Sequence, residues 1–121
     1  MRLFALRGAN SVERDEPQAI LDATTELMQE ISRRNALEPA MTVSCIFTAT
    51  ADLCSEFPAV AARAIGFDRV PLLCAQEIPV PGSMPRVIRV LIHYHAPEEH
   101  EPLHVYLGET MALRADLHAA Q

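Results

Sequence analysis

The chain has 121 residues, half of them hydrophobic, with a formal net charge of −6; that length fits one domain, expected to span the whole chain, and excludes a second. An acidic chain in which no segment gathers lysines and arginines into a stripe is not built for a phosphate backbone, so no nucleic-acid partner is expected. No run approaches the roughly 18 apolar residues of a membrane span, and the opening residues lack the basic, apolar and small-residue regions of a secretion signal, so no membrane is expected and the expected compartment is the cytoplasm.

Arg2 to Ala9 alternate as a strand, with Leu3, Ala5 and the stem of Arg7 on one face and Phe4 and Leu6 on the other; Gly8 is expected to end or bend it. Asp15 is placed to cap a helix, with Pro17 in its first turn and Gln18 three residues after the cap. Ile20, Leu21, Leu27, Met28 and Ile31 then form an apolar stripe at helical period, with Thr24 in the remaining position, so one face of this helix packs on a sheet. Asn35 to Pro39 reads as a polar turn, and Met41 to Ala49 as a strand in which Val43, Cys45 and Phe47 alternate with Thr42, Ser44 and Thr48. Pro58 opens a short helix through Ala61, Ala62 and Ile65, which Gly66 ends in a left-handed cap. Val70 to Ile78 reads as a buried extended segment and Pro79 to Pro85 as turns. From Val87 to His95 the alternation is clearest, with Ile88, Val90, Ile92 and Tyr94 on one face and Val87, Arg89, Leu91, His93 and His95 on the other. Leu103 to Leu107 and Thr110 to Leu113 are expected as further extended pieces, with a short tail from about residue 115. This order implies an α+β fold, a mixed β-sheet with two helices on one face.

Arginine inside a strand must reach water, an ion pair or a ligand to offset its desolvation. Arg7 and Arg89 are such residues; Arg63 on the short helix and Arg114 after the last extended piece add to them. Several arginines in element positions of an acidic protein suit a small anion, although each taken singly reads first as a solvated or ion-paired surface residue. Glu77, at the end of Leu72-Leu73-Cys74-Ala75-Gln76-Glu77, is a candidate to complement positive charge or serve as a base. Cys74 lacks a readable activating partner, and Cys45, Cys54 and Cys74 are odd in number and widely spaced, so they read as reduced thiols. His93 and His95 share a strand face, with Glu98, His100 and His104 nearby. Two ligands do not make a metal site, and no metal is expected. Tyr106 is either a half-buried packing residue or a phenol donor.

These segments together resemble the monofunctional chorismate mutases typified by the Bacillus enzyme. The opening RLFALRGANSVERD is similar to the family's R-G-I-R-G-A-x-x-V-x-x-[DN], with Phe4-Ala5 in place of the leading R-G. Phe57-Pro58-Ala59 with Arg63, Val70-Pro71 followed by Cys74-Ala75-Gln76-Glu77, Ile88-Arg89-Val90, and His104 to Leu107 through Leu113-Arg114-Ala115-Asp116-Leu117 follow in order. The resemblance implies a homotrimer forming a pseudo-α/β barrel, with clefts between subunits that bind the chorismate dianion and convert it to prephenate for phenylalanine and tyrosine synthesis, without a cofactor.

By that resemblance Arg89 donates to the ether oxygen whose bond breaks, Arg7 grips a carboxylate, and Glu77 holds the hydroxyl and balances positive character in the ring. Tyr106 donates to the other carboxylate and Cys74 lies beside the ring. Phe57, Ala59 and Arg63 line the cleft from the adjacent subunit, Leu72 and Leu73 form its wall, and Leu113 and Arg114 stand at its entrance. Val60 stands where the family often has a lysine and Leu73 where a threonine is common. Two other readings make different demands: a trimeric imine or enamine deaminase of related barrel tolerates loss of Glu77, and a metal module depends on His93.

Overall fold

A computed structural model of the chain describes residues 1–113; Arg114 and the tail expected from about residue 115 lie outside the described residues. Five strands form one mixed sheet: β1 (Arg2–Ser11), β2 (Thr42–Ala49), β3 (Leu72–Gln76), β4 (Val87–Ala96) and β5 (Val105–Tyr106), in the order β3-β2-β4-β1-β5. β4 runs antiparallel to both β1 and β2, whereas β3 and β5 add in parallel at the two edges.

Strand alternation decides which side chains meet the helices. Phe4 and Leu6 of β1, Cys45 and Phe47 of β2, and Ile88, Val90, Ile92 and Tyr94 of β4 are all buried on one face. Against them α1 (Pro17–Asn35) lays Ile20, Leu27, Met28 and Ile31, and α2 (Pro58–Ala62) lays Ala59 and Ala62, in one continuous core. The expected α+β layer with two helices on one side is therefore observed. Burying a side chain of this size contributes about 1.5 to 3 kcal/mol, so this interface holds most of the chain's stability. Cys45 lies inside it, and burial pushes its thiol up to about 12.

β1 does not stop at Gly8. A Cβ built there would come within 2.7 Å of Ile31 Cδ1 and 3.1 Å of Leu27 Cδ1, so the glycine serves close approach of α1 to the strand rather than a bend. Gly66, in contrast, has the expected left-handed conformation, with φ of 111°, at the end of a wide helical turn that continues α2 over Arg63–Phe67.

Asp15 does not cap α1. The residue before the helix is Glu16, with no side-chain cap bond, while Asp15 is engaged by the loop before α2: its carboxylate accepts from Ser55 Oγ at 2.7 Å and from the Cys54 and Ser55 backbone N–H groups at 3.0 Å. These donors, the serine hydroxyl foremost, hold the carboxyl below its usual range. At the other end of α1 the expected polar turn is partly interior. Asn35 is buried, donates to the carbonyls of Ile31 and Leu103 and accepts from Leu103 N–H, which ties the chain before β5 to the helix end. Val43, expected to face inward, is exposed, because the β2–β4 register shifts between Thr42 and Ser44.

Two extended segments differ from expectation. The Val70 to Ile78 segment is not buried: β3 is an edge strand with Leu73, Ala75 and Gln76 exposed. Thr110 to Leu113 is helical, following a tight turn over Gly108–Thr110, because Thr110 Oγ1 donates to the carbonyls of Ala9 and Leu107 and winds the chain back over β1.

Candidate active site

Among the described residues neither α1 nor α2 covers the other face of the sheet, and strand register orders its side chains into rows. Tyr106 pairs with Ala9, Ala9 with Arg89, Arg89 with Thr48 and Thr48 with Ala75, so these five residues cross the sheet from β5 to β3 on a common face. The next row holds Arg7 on β1, Leu91 on β4, Ile46 on β2 and Leu73 on β3. Arg7 is thus the diagonal neighbour of Arg89, with backbones roughly 7 to 8 Å apart. The two arginines that alternation placed mid-strand do share one patch of surface.

Glu77 follows β3 and its N–H bonds to the carbonyl of Ala49, which turns its side chain over β2 toward β4. Its Oε2 accepts from Arg89 Nε at 3.0 Å and from Thr48 Oγ1 at 2.7 Å. The glutamate side chain is 17% exposed and the arginine 41%. Among the described residues neither Arg89 Nη atom nor Glu77 Oε1 has a protein hydrogen-bond partner, so a paired, immobilised group presents two cationic nitrogens and one anionic oxygen to the open face. Thr48 was read from the sequence only as the polar half of an alternating strand; a hydroxyl directly opposite a strand arginine is the signal that could have marked it.

Tyr106 is buried against Ala9 and Val87, with Met84 and Leu113 packed around them. The turn after β5 thus covers one end of the open face, and the arginine–glutamate pair sits where cover gives way to exposure. On β1, Arg7 N–H donates to His104 Nδ1 at 3.0 Å, a side-chain bond beside the short β1–β5 ladder.

The remaining candidates are dispersed. Cys74 pairs with Phe47 and packs against the helix-side core, opposite Arg89. Leu72 and Leu73 are neighbours in one strand and so point to opposite faces, Leu72 half-buried and Leu73 61% exposed; they do not form one wall. Phe57 and Arg63 are exposed at the α2 end of the molecule, but Ala59, expected beside them, is buried in the core of its own chain because it lies on the inner side of α2. Phe57 and Cys74 line a groove of about 360 Å³ between the loop after β2 and β3. Leu113 is half-buried beside Tyr106 and Arg114 falls outside the described residues. The histidines go to separate partners: His93 Nδ1 lies 3.3 Å from Ser44 Oγ, His100 meets Tyr94, and His104 meets Arg7 N–H. Among the described residues no three metal-ligating side chains gather, and no helix is long and apolar enough to cross a membrane.

An open sheet face with arginines and a fixed carboxylate is suited to gripping a small anionic molecule and stabilising charge within it. The family model for chorismate mutase type I matches residues 3–117. Chorismate mutase AroH of Thermus thermophilus is 50% identical over 118 residues, 96% of this chain and 97% of the relative. That of Bacillus subtilis is 37% identical over 119 residues, 97% of this chain and 94% of the relative. Among solved structures, a chorismate mutase from Clostridium thermocellum superposes with a TM-score of 0.86 at 38% identity, covering 90% of this chain and 98% of that one. With the match spanning nearly its full length, this chain belongs to the chorismate mutase type I family.

Proposed function

We propose that the chain rearranges chorismate to prephenate on the open sheet face, with Arg89 as the central catalytic residue. The observation that carries the reading is the Arg89–Glu77 pair: Nε is held at 3.0 Å by the carboxylate, so the guanidinium is fixed in direction while both Nη atoms stay uncommitted. The rearrangement breaks a C–O ether bond as a C–C bond forms. Negative charge builds on the oxygen and positive character on the ring, with no proton to move. A guanidinium fixed before the reaction stabilises that oxygen without reorganising during it. Glu77 Oε1, on the same pair, accepts from the substrate hydroxyl and complements the ring fragment. Arg7, a diagonal neighbour, takes one carboxylate of the dianion in bidentate fashion, and Tyr106 donates to the other.

Three copies with open faces turned inward close a pseudo-α/β barrel and give each site its missing wall. In support, Leu73 is exposed on that face and Ile46 and Leu91 are half-buried there, apolar surface that a second copy would cover. Phe57 and Arg63, exposed at the end of the molecule, then reach the neighbour's cleft, whereas Ala59 supports α2 from inside. Cys74 contributes through its backbone, on the edge strand three residues before Glu77. Leu113 stands at the entrance. Val60 in place of a lysine leaves the cleft mouth one cation poorer, so the arginines supply the attraction for the dianion. The compartment we propose is the cytoplasm.

The test follows the loss of chorismate in the ultraviolet with wild-type protein and Arg89→Ala. Rapid conversion to prephenate by wild type, slowed about a thousandfold or more in the variant, is expected for the loss of one preorganised donor of full charge. A well-assembled wild-type protein that leaves chorismate unchanged refutes the reading.

A further inference from the structure

We infer that Thr48 is a positioning residue for this reaction, holding the Glu77 carboxylate in the one rotation that leaves both Arg89 and Glu77 available to the substrate. The inference rests on the activity proposed above and concerns a residue that touches no substrate.

An arginine and a carboxylate side by side ordinarily settle into a bidentate fork, two parallel N–H···O bonds that satisfy both groups. Here they do not. Glu77 Oε2 alone meets the guanidinium, through Nε at 3.0 Å, and the same oxygen accepts from Thr48 Oγ1 at 2.7 Å. Thr48 lies directly opposite Arg89 in the β2–β4 register, so hydroxyl and guanidinium approach that oxygen from adjacent strands. The backbone completes the clamp, because Glu77 N–H is bonded to the carbonyl of Ala49, one residue beyond Thr48. With the hydroxyl fixing Oε2 down toward the sheet, Oε1 is directed away from the guanidinium. Remove the hydroxyl and the carboxylate is free to rotate into the fork, which occupies an Nη atom and Oε1 with each other. The pair then satisfies itself, and the substrate must break it before either group can act.

Valine matches threonine in shape and strand preference but has no hydroxyl, so Thr48→Val removes the donor with little disturbance of β2. In the assembled protein we expect Thr48→Val to lower kcat ten- to hundredfold with a smaller change in KM, as befits loss of a hydrogen bond to a charged group needed in the transition state. The melting temperature and elution volume should remain those of wild type. Thr48→Ser, which restores a hydroxyl at the same atom, should recover most of kcat, and Thr48→Val should cost less than twofold more in a Glu77→Gln background. A Thr48→Val enzyme with wild-type kcat on an active wild-type reference overturns the inference and leaves the proposed activity standing. So does a serine variant as slow as the valine one, a loss wholly tracked by lower melting temperature, or full additivity with Glu77→Gln. An inactive wild type refutes the parent reading, and this one with it.

Discussion

One sheet presents two faces that are finished by different means. The helix-side face is closed within the chain: Leu6, Phe47, Ile88 and Ile92 are fully buried beneath α1 and α2 in an apolar core, and the polar residues buried with them, Asn10 and Thr24, bond to carbonyls of α1. The opposite face is built from the alternate residues of the same strands, yet it carries arginines, a threonine, histidines and half-exposed leucine and isoleucine. Since a strand cannot choose one face without setting the other, each strand here serves stability with its even positions or odd positions and binding with the rest. The site is consequently as rigid as the core beneath it, which is what a reaction driven by fixed charge demands.

The contrast breaks most sharply with one substitution on each face of the neighbouring strands β2 and β3. Phe47→Ala on the packed face should cost about 3 to 5 kcal/mol in chemical denaturation, because the cavity cannot collapse between sheet and helices. Leu73→Asp on the open face should leave far-ultraviolet circular dichroism unchanged while shifting elution from the proposed trimer toward monomer and abolishing turnover. A stable, fully assembled Leu73→Asp enzyme would show that the open face is not where copies meet. Next in size, Gly8→Ala tests the closeness of strand and helix: the new methyl meets Ile31 Cδ1 at 2.7 Å, so about 1 to 3 kcal/mol of destabilisation is expected, with KM for chorismate little changed if α1 shifts alone.

Smallest are the polar contacts at the rim of the packed face. Glu30 is held by Arg33 foremost, then Arg34, which bring its carboxyl from the usual 4.5 down to about 2, and Asp15 is lowered in the same direction. A carboxyl depressed in the folded state adds stability that is complete above its unfolded value and lost as pH falls toward the folded one. Thermal stability should therefore decline between about pH 4.5 and 2. Asp15→Asn should flatten part of that decline, and added salt should weaken the Glu30 share because these groups are solvent-exposed.

What could be read from the residues alone follows the same division. Periodicity marked β4 and the stripe of α1 because burial on one face imposes a regular pattern, and it placed Arg7 and Arg89 on a strand face for the same reason. It could not show that Asp15 serves the loop at Cys54 and Ser55, since a capping residue and a loop acceptor look alike in sequence and only the fold decides the donor. The segment after β5 reads as extended in sequence because its helical turn depends on Thr110 reaching Ala9, a bond across most of the chain. Ala59 and Cys74 join the site only through the family resemblance, whereas in this chain both side chains pack toward the helix-side core. Thr48 was passed over because threonine in a strand is explained by propensity alone.

The pairing of β1 with β4 joins the first strand to one that begins at Val87, with Arg2 opposite Ala96. Such separation makes folding wait on synthesis: until β4 emerges from the ribosome, β1 has no neighbour in the sheet and the apolar stripe of α1 lacks the central strand it packs on. For most of its birth the polypeptide therefore lacks the strand that joins β1 to β2, and its refolding in dilute solution should be slower than its modest size suggests.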